Sequence, residues 1–110
     1  MGTAGRKDFN DWLVDSVDET IREVLGAETT SNLWHHFQTT LGITREEIPY
    51  RLPTLFQYLN AKFGIGGAGL NLVIVKKLYS KAKVPLNYEP SRPLTEYIEE
   101  LKQILARKDP

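Results

Sequence analysis

At 110 residues, with 41% hydrophobic and 10% aromatic content, the chain can bury a single core without metal or disulfide staples, and disorder of the whole chain is disfavoured. Its 14 Lys and Arg balance 14 Asp and Glu, so no bulk charge steers it toward nucleic acid or a membrane surface. It has no cysteine, no apolar run near the roughly 20 residues of a membrane span and no apolar stretch behind Met1, so a cytoplasmic protein without disulfides is expected.

The first helix is predicted over residues 9–25, because Phe9, Leu13, Val17 and Ile21 recur at helical spacing with acids between them. Gly26 is its expected left-handed stop. The Thr29-Thr30-Ser31-Asn32 cluster should cap a second helix, which carries Leu33, Trp34, Phe37 and Leu41 inward and ends at Gly42. Ile43 should then fold back onto Phe37, the apolar contact of a Schellman stop. Thr44-Arg45-Glu46-Glu47 has the capping-box form, but Pro49 limits the helix it opens to a turn or so.

Pro53 fits the first turn of a third helix, with Leu55, Phe56, Leu59 and Phe63 on its inner face. Its end echoes the second helix. Leu33, Trp34, Phe37, Leu41, Gly42, Ile43 and Ile48 align, at an offset of 22 residues, with Leu55, Phe56, Leu59, Phe63, Gly64, Ile65 and Leu70. The echo sets Ile65 back against Leu59 and makes Gly64, Gly66 and Gly69 a glycine-rich corner.

Leu70, Ile74, Leu78 and Ala82 lie four apart, so a helix from Leu70 to about Lys83 is preferred over a β-branched strand. Apolar nearly all round at its start, it should be the central one. Pro85, Pro90 and Pro93 make residues 84–93 an extended connector. Leu94, Tyr97, Ile98, Leu101, Ile104 and Leu105 then form a last amphipathic helix. The predicted fold is all-α: one compact orthogonal bundle of about five helices over residues 9–106, with glycine corners at Gly26, Gly42, Gly64, Gly66 and Gly69. Residues 1–8 should be flexible and residues 107–110 frayed.

A helix ending in LGI, a TREEIP turn, a helix ending in FGIG, the VIVKKLY helix and the NYEP connector together resemble an archaeal output-domain family, the fifth type of the Nitrososphaera output domains. The resemblance covers residues 11–105 and is strongest over 42–49 and 63–79. It implies a small all-helical domain, alone or joined to other modules, acting as an output or interaction unit in archaeal signalling. It implies no catalytic residues.

The residues themselves offer several chemistries and support none as a reaction. Gly64, Gly66 and Gly69 satisfy GxGxxG, but a dinucleotide site follows a strand, whereas the residues before Gly64 read as helix. His35 and His36 point about 100° apart on a helix, with Thr39 and Thr40 as their i+4 neighbours, which is poor metal geometry. One histidine should lie at the core edge and the other in water. No motif assembles a nucleophile, and neither a cofactor nor a metal is expected.

Charge is segregated. Asp11, Asp15, Asp18 and Glu19 line the first helix, and Lys76, Lys77, Lys81 and Lys83 crowd the fourth. The segregation admits pairing within the chain, pairing between chains, or two solvated faces. The leading expectation is a non-enzymatic module that meets another protein, a second copy of the chain included, through these eight residues. The alternative is a nucleic-acid-binding domain in which a helix-hairpin-helix-like Gly64 to Gly69 corner and the Lys76 to Lys83 helix contact phosphates.

Overall fold

A computed structural model describes residues 9–108, and over them the regular structure is all helical, without strands, with residues 84–93 a non-helical connector. Residues 1–8, expected to be flexible, and 109–110 lie outside the described residues, whereas residues 107 and 108, expected to be frayed, are the last residues of the final helix. Among the described residues there are five α-helices: α1 (Phe9–Leu25), α2 (Ala27–His36), α3 (Leu52–Phe63), α4 (Ile65–Ala82) and α5 (Leu94–Lys108). A π-helical turn over Phe37–Leu41 and a 3-10 turn over Arg45–Tyr50 join α2 to α3. Among the described residues no helix is long and apolar enough to cross a membrane.

Helix α1 is helical over the predicted residues and stops at the predicted Leu25, and its inner stripe of Leu13, Val17 and Ile21 is fully enclosed together with the small polar Ser16 and Thr20. Ser16 satisfies its hydroxyl locally, donating to the Trp12 carbonyl at 2.8 Å.

The start of α2 departs from expectation. Gly26 adopts φ 92 and ψ 164, a conformation that only glycine reaches without strain, and turns α1 directly into α2. Its N–H closes α1 on the Arg22 carbonyl at 2.9 Å, and its own carbonyl opens α2 by accepting from the Thr30 amide at 3.0 Å. The Thr29 to Asn32 cluster therefore lies inside the helix instead of capping it. Thr30 is buried and donates its hydroxyl back to the Gly26 carbonyl at 2.7 Å.

At the far end α2 widens into the π turn before Gly42 reaches the left-handed region at φ 68 and ψ 28. The Ile43 amide then donates to the Phe37 carbonyl at 3.0 Å, and both side chains are fully buried. Thr44 and Glu47 form the predicted capping box, with the Thr44 amide donating to Glu47 Oε1 at 2.9 Å.

Gly64, at φ 60 and ψ −129, joins α3 to α4 without an intervening loop. Helix α4 therefore begins five residues ahead of the predicted Leu70, and Gly66 and Gly69 stand inside it, not at a corner. The glycine on which the crossing depends is Gly67, because a Cβ there would overlap the Leu59 carbonyl. Ile65 does not fold back on Leu59; it is 94% exposed.

Helix α4 packs against α1, α3 and α5, the central position expected of it. It buries Leu70, Ile74, Val75, Leu78 and Tyr79, and each fully buried aliphatic side chain contributes about 1.5–3 kcal/mol. Surface ion pairs contribute about 0–1 kcal/mol, so the apolar core and not the charged faces holds the bundle together.

The proline-bearing connector is fixed to α5 by Tyr97. The Tyr97 hydroxyl accepts from the Glu89 amide at 2.6 Å and donates to the Glu89 carbonyl at 3.2 Å, while the Tyr79 hydroxyl donates to the Tyr97 carbonyl at 2.6 Å. Burial, and then the Glu100 carboxylate, push the Tyr79 phenol above its usual range, so it stays a neutral donor.

Candidate interaction surface

The opposed acidic and basic stripes meet inside one molecule. Lys77 Nζ lies 3.0 Å from Glu23, and Lys81 Nζ lies 3.0 Å from Glu19, so α1 and α4 are laced along their shared edge. Asp18 turns elsewhere, accepting from Trp34 Nε1 at 2.7 Å and pairing with Arg22 at 3.2 Å and Arg45 at 3.5 Å. Arg45 also lies over the Trp34 ring, 4.5 Å from its centroid. Burial alone would raise the Asp18 pKa, but the Trp34 hydrogen bond and the two guanidinium groups outweigh it and hold the carboxyl below its ordinary range.

Of the other predicted charges, Asp11 is exposed and Asp15 half-buried on α1, while Lys76 and Lys83 are exposed and form no ion pair among the described residues. Lys83 ends α4 at φ 60 and ψ 39, a left-handed position usually held by glycine. Trp12 and Trp34 are half-buried against the core. His36 sits beside Tyr58, ring centroids 5.5 Å apart, and His35 is exposed, as expected of the pair. Among the described residues no group of three His, Cys, Asp or Glu is placed to hold a metal ion.

The polar cleft under the connector has its groups already engaged. Arg92 pairs with Glu96 at 3.1 Å and Glu100 at 3.0 Å and lies 4.6 Å from the Tyr97 ring centroid, and both phenols there are hydrogen-bonded. Nothing in it combines a nucleophile with a neighbouring base.

The surface that stands out is apolar. Large exposed hydrophobic residues are Val24, Tyr50, Ile65 and Tyr88, and two of these, Ile65 and Tyr88, line one groove. Its floor is the first half of α4, with Ala68, Gly69, Asn71 and Leu72; its walls are Asn60 on α3, Tyr88 on the connector and Leu94 at the start of α5. No charged side chain lines it, although a quarter of the whole sequence is charged. Exposed apolar side chains gathered in one uncharged groove are a feature that docking surfaces share.

Asn71 is the polar exception. It is 2% exposed, and its amide nitrogen donates to the Phe56 carbonyl and to Asn60 Oδ1, each at 3.3 Å, leaving Oδ1 with no donor. Its one sign in the sequence is an asparagine inside an otherwise apolar run. Ile65 was hidden by the echo with Ile43. Comparison with protein-family models, with curated proteins and with solved structures finds no match, so the family resemblance rests on the sequence motifs alone.

Proposed function

We propose that the protein is a non-enzymatic interaction module that engages another protein through the uncharged groove along the first half of α4. The observation that carries this reading is Ile65, an isoleucine 94% exposed at the mouth of a groove with no charged lining. The resemblance to an archaeal output family suggests the setting, the relay of a signal to a partner within the cytoplasm. The charged residues expected to form the interface serve less well, since Glu19, Glu23, Lys77 and Lys81 are paired with one another in the chain.

A photo-crosslinking amino acid in place of Ile65 tests the reading against the same group in place of Glu28, an exposed residue of α2. Covalent adducts at position 65 and not at position 28 are expected, insensitive to salt because no charge lines the groove. Adducts only at position 28 would overturn it. A DNA duplex that shifts the amide resonances of α4 at low salt, reversibly with added salt, would favour the nucleic-acid alternative.

A further inference from the structure

We infer that α4 has two alternative starts, Gly64 and Asn71, and that residues 64–70 form a joint that coils and uncoils while the rest of the bundle stays folded. The inference concerns the conformation of α4 and does not rest on what the groove binds.

The coiled start is weakly held. Ile65, Gly66, Ala68 and Gly69 are exposed and the buried Gly67 has no side chain, so α4 places no apolar side chain in the core before Leu70. Helix α3, in contrast, buries its first residue, Leu52. No side chain caps the helix at Gly64 among the described residues, and the Gly64 carbonyl is shared between the Gly67 amide at 2.9 Å and the Ala68 amide at 3.3 Å. Gly66, Gly67 and Gly69 release more backbone entropy on uncoiling than any other residue would. Packing asks for glycine only at Gly67. Neither Gly66 nor Gly69 has a positive φ, a Cβ at Gly69 would meet nothing within 4 Å, and one at Gly66 would meet only the Phe63 Cβ at 3.8 Å.

A second start stands ready further along the helix. Asparagine is among the best N-caps, and a cap at Asn71 gives its neighbours the places that a helix start prefers. Leu70 then precedes the cap and Val75 is the fourth helical residue, the two apolar members of a hydrophobic staple. Both are core residues. In the coiled form Asn71 Oδ1 is buried with no donor among the described residues, whereas as a cap the same oxygen accepts from the Val73 or Ile74 amide. One start thus leaves an acceptor unsatisfied and the other satisfies it. Holding the coiled form are the fit of Gly67 against the Leu59 carbonyl and the two 3.3 Å bonds that the Asn71 amide donates to Phe56 and Asn60. Uncoiling turns the single-residue corner at Gly64 into a tether of residues 64–70 and withdraws Ile65, Ala68 and Gly69 from the groove, so the joint decides whether the groove exists.

Amide hydrogen exchange of the whole chain, followed residue by residue by NMR, tests the inference. The amides of Ala68 to Leu72 should share one protection factor, about a hundredfold below those of Val75 to Leu78, because a single opening frees them all. Protection that rises gradually along these residues, or that matches the second half of α4, would overturn it. Gly69→Ala should raise the shared protection about fivefold and leave Val75 to Leu78 unchanged, and no rise would count against the joint. Leu72→Pro separates the two starts. Proline is favoured at the first helical position and drives the residue before it into the extended backbone of a cap, so a start at Asn71 accepts it, whereas a helix interior does not. The variant should stay folded, with helical carbon shifts lost over residues 65–70 and kept from Val73 onward; collapse of the bundle would overturn the inference.

Discussion

The chain ends two helices with the same words, Leu-Gly-Ile at 41–43 and Phe-Gly-Ile at 63–65, and draws opposite results from them. Ile43 is sealed in the core, while Ile65 stands in solvent. The difference lies in ψ of the glycine. Gly42 takes the left-handed helical conformation and swings Ile43 under the π turn, where its amide reaches the Phe37 carbonyl. Gly64 shares a similar φ but turns its ψ to −129, so a new helix starts at once and carries Ile65 outward. The residues after each glycine fit the outcome: Thr44 and Glu47 build a cap that delays the next helix, whereas Gly66, Gly67 and Ala68 offer no capping side chain. The nearer counterpart of Gly64 is Gly26, another single residue whose N–H closes one helix and whose carbonyl opens the next.

The contrast is broken most forcefully at Gly67. Its α-hydrogen faces the α3 backbone where a Cβ would overlap the Leu59 carbonyl, so Gly67→Ala should cost about 3 kcal/mol or more in chemical denaturation, whereas Gly69→Ala should leave the fold as stable or up to about 1 kcal/mol more so. Equal effects would mean that the helices do not cross there. Next come the two stops themselves. Gly64→Ala should cost about 2 kcal/mol and Gly42→Ala about 1 kcal/mol, since ψ −129 at positive φ is open to glycine alone while the left-handed helical region tolerates other residues at a penalty. Matching losses would erase the distinction drawn between them.

Lys83 sharpens it from the other side, as a left-handed stop without glycine. Lys83→Gly should raise stability by about 1 kcal/mol, read as a higher melting temperature. The smallest effect is confined to acid. The folded pKa of Asp18 lies below its unfolded value near 3.8, so the stability it supplies is present above that pH and is lost as pH falls through the folded value. Asp18→Asn should accordingly flatten the acid limb of the stability curve below about pH 4, and an unchanged limb would show that the Trp34 and arginine contacts do not favour the charged form.

Helical periodicity made the architecture legible wherever one face was apolar and the other charged. Helix α1 ends at Leu25, where the apolar spacing says it should, and the capping box at Thr44 and the proline stop before α5 are local chemistry with few alternatives. The start of α2 was not legible, because threonine and asparagine serve equally as caps and, with a hydroxyl returned to the fourth carbonyl behind, as helix residues; the backbone of Gly26 decided between them. Among Gly66, Gly67 and Gly69 the sequence has no preference. Only the point at which α3 meets α4 makes one of them indispensable and frees the other two. The groove was unreadable for the same reason, since its residues belong to one helix face whose orientation depends on a single ψ angle.

Tyr97 has a consequence for the part of the chain that looks least constrained. Segments without regular structure ordinarily accept insertions and exchange their amide protons quickly. Here the Glu89 amide is held by a buried phenol at 2.6 Å, and that phenol belongs to a helix anchored in turn by Tyr79. The connector is therefore measured to length like a strut. Its Glu89 proton should exchange on the timescale of α5 itself, and a residue added between Leu86 and Glu89 should loosen α5, not merely lengthen a loop.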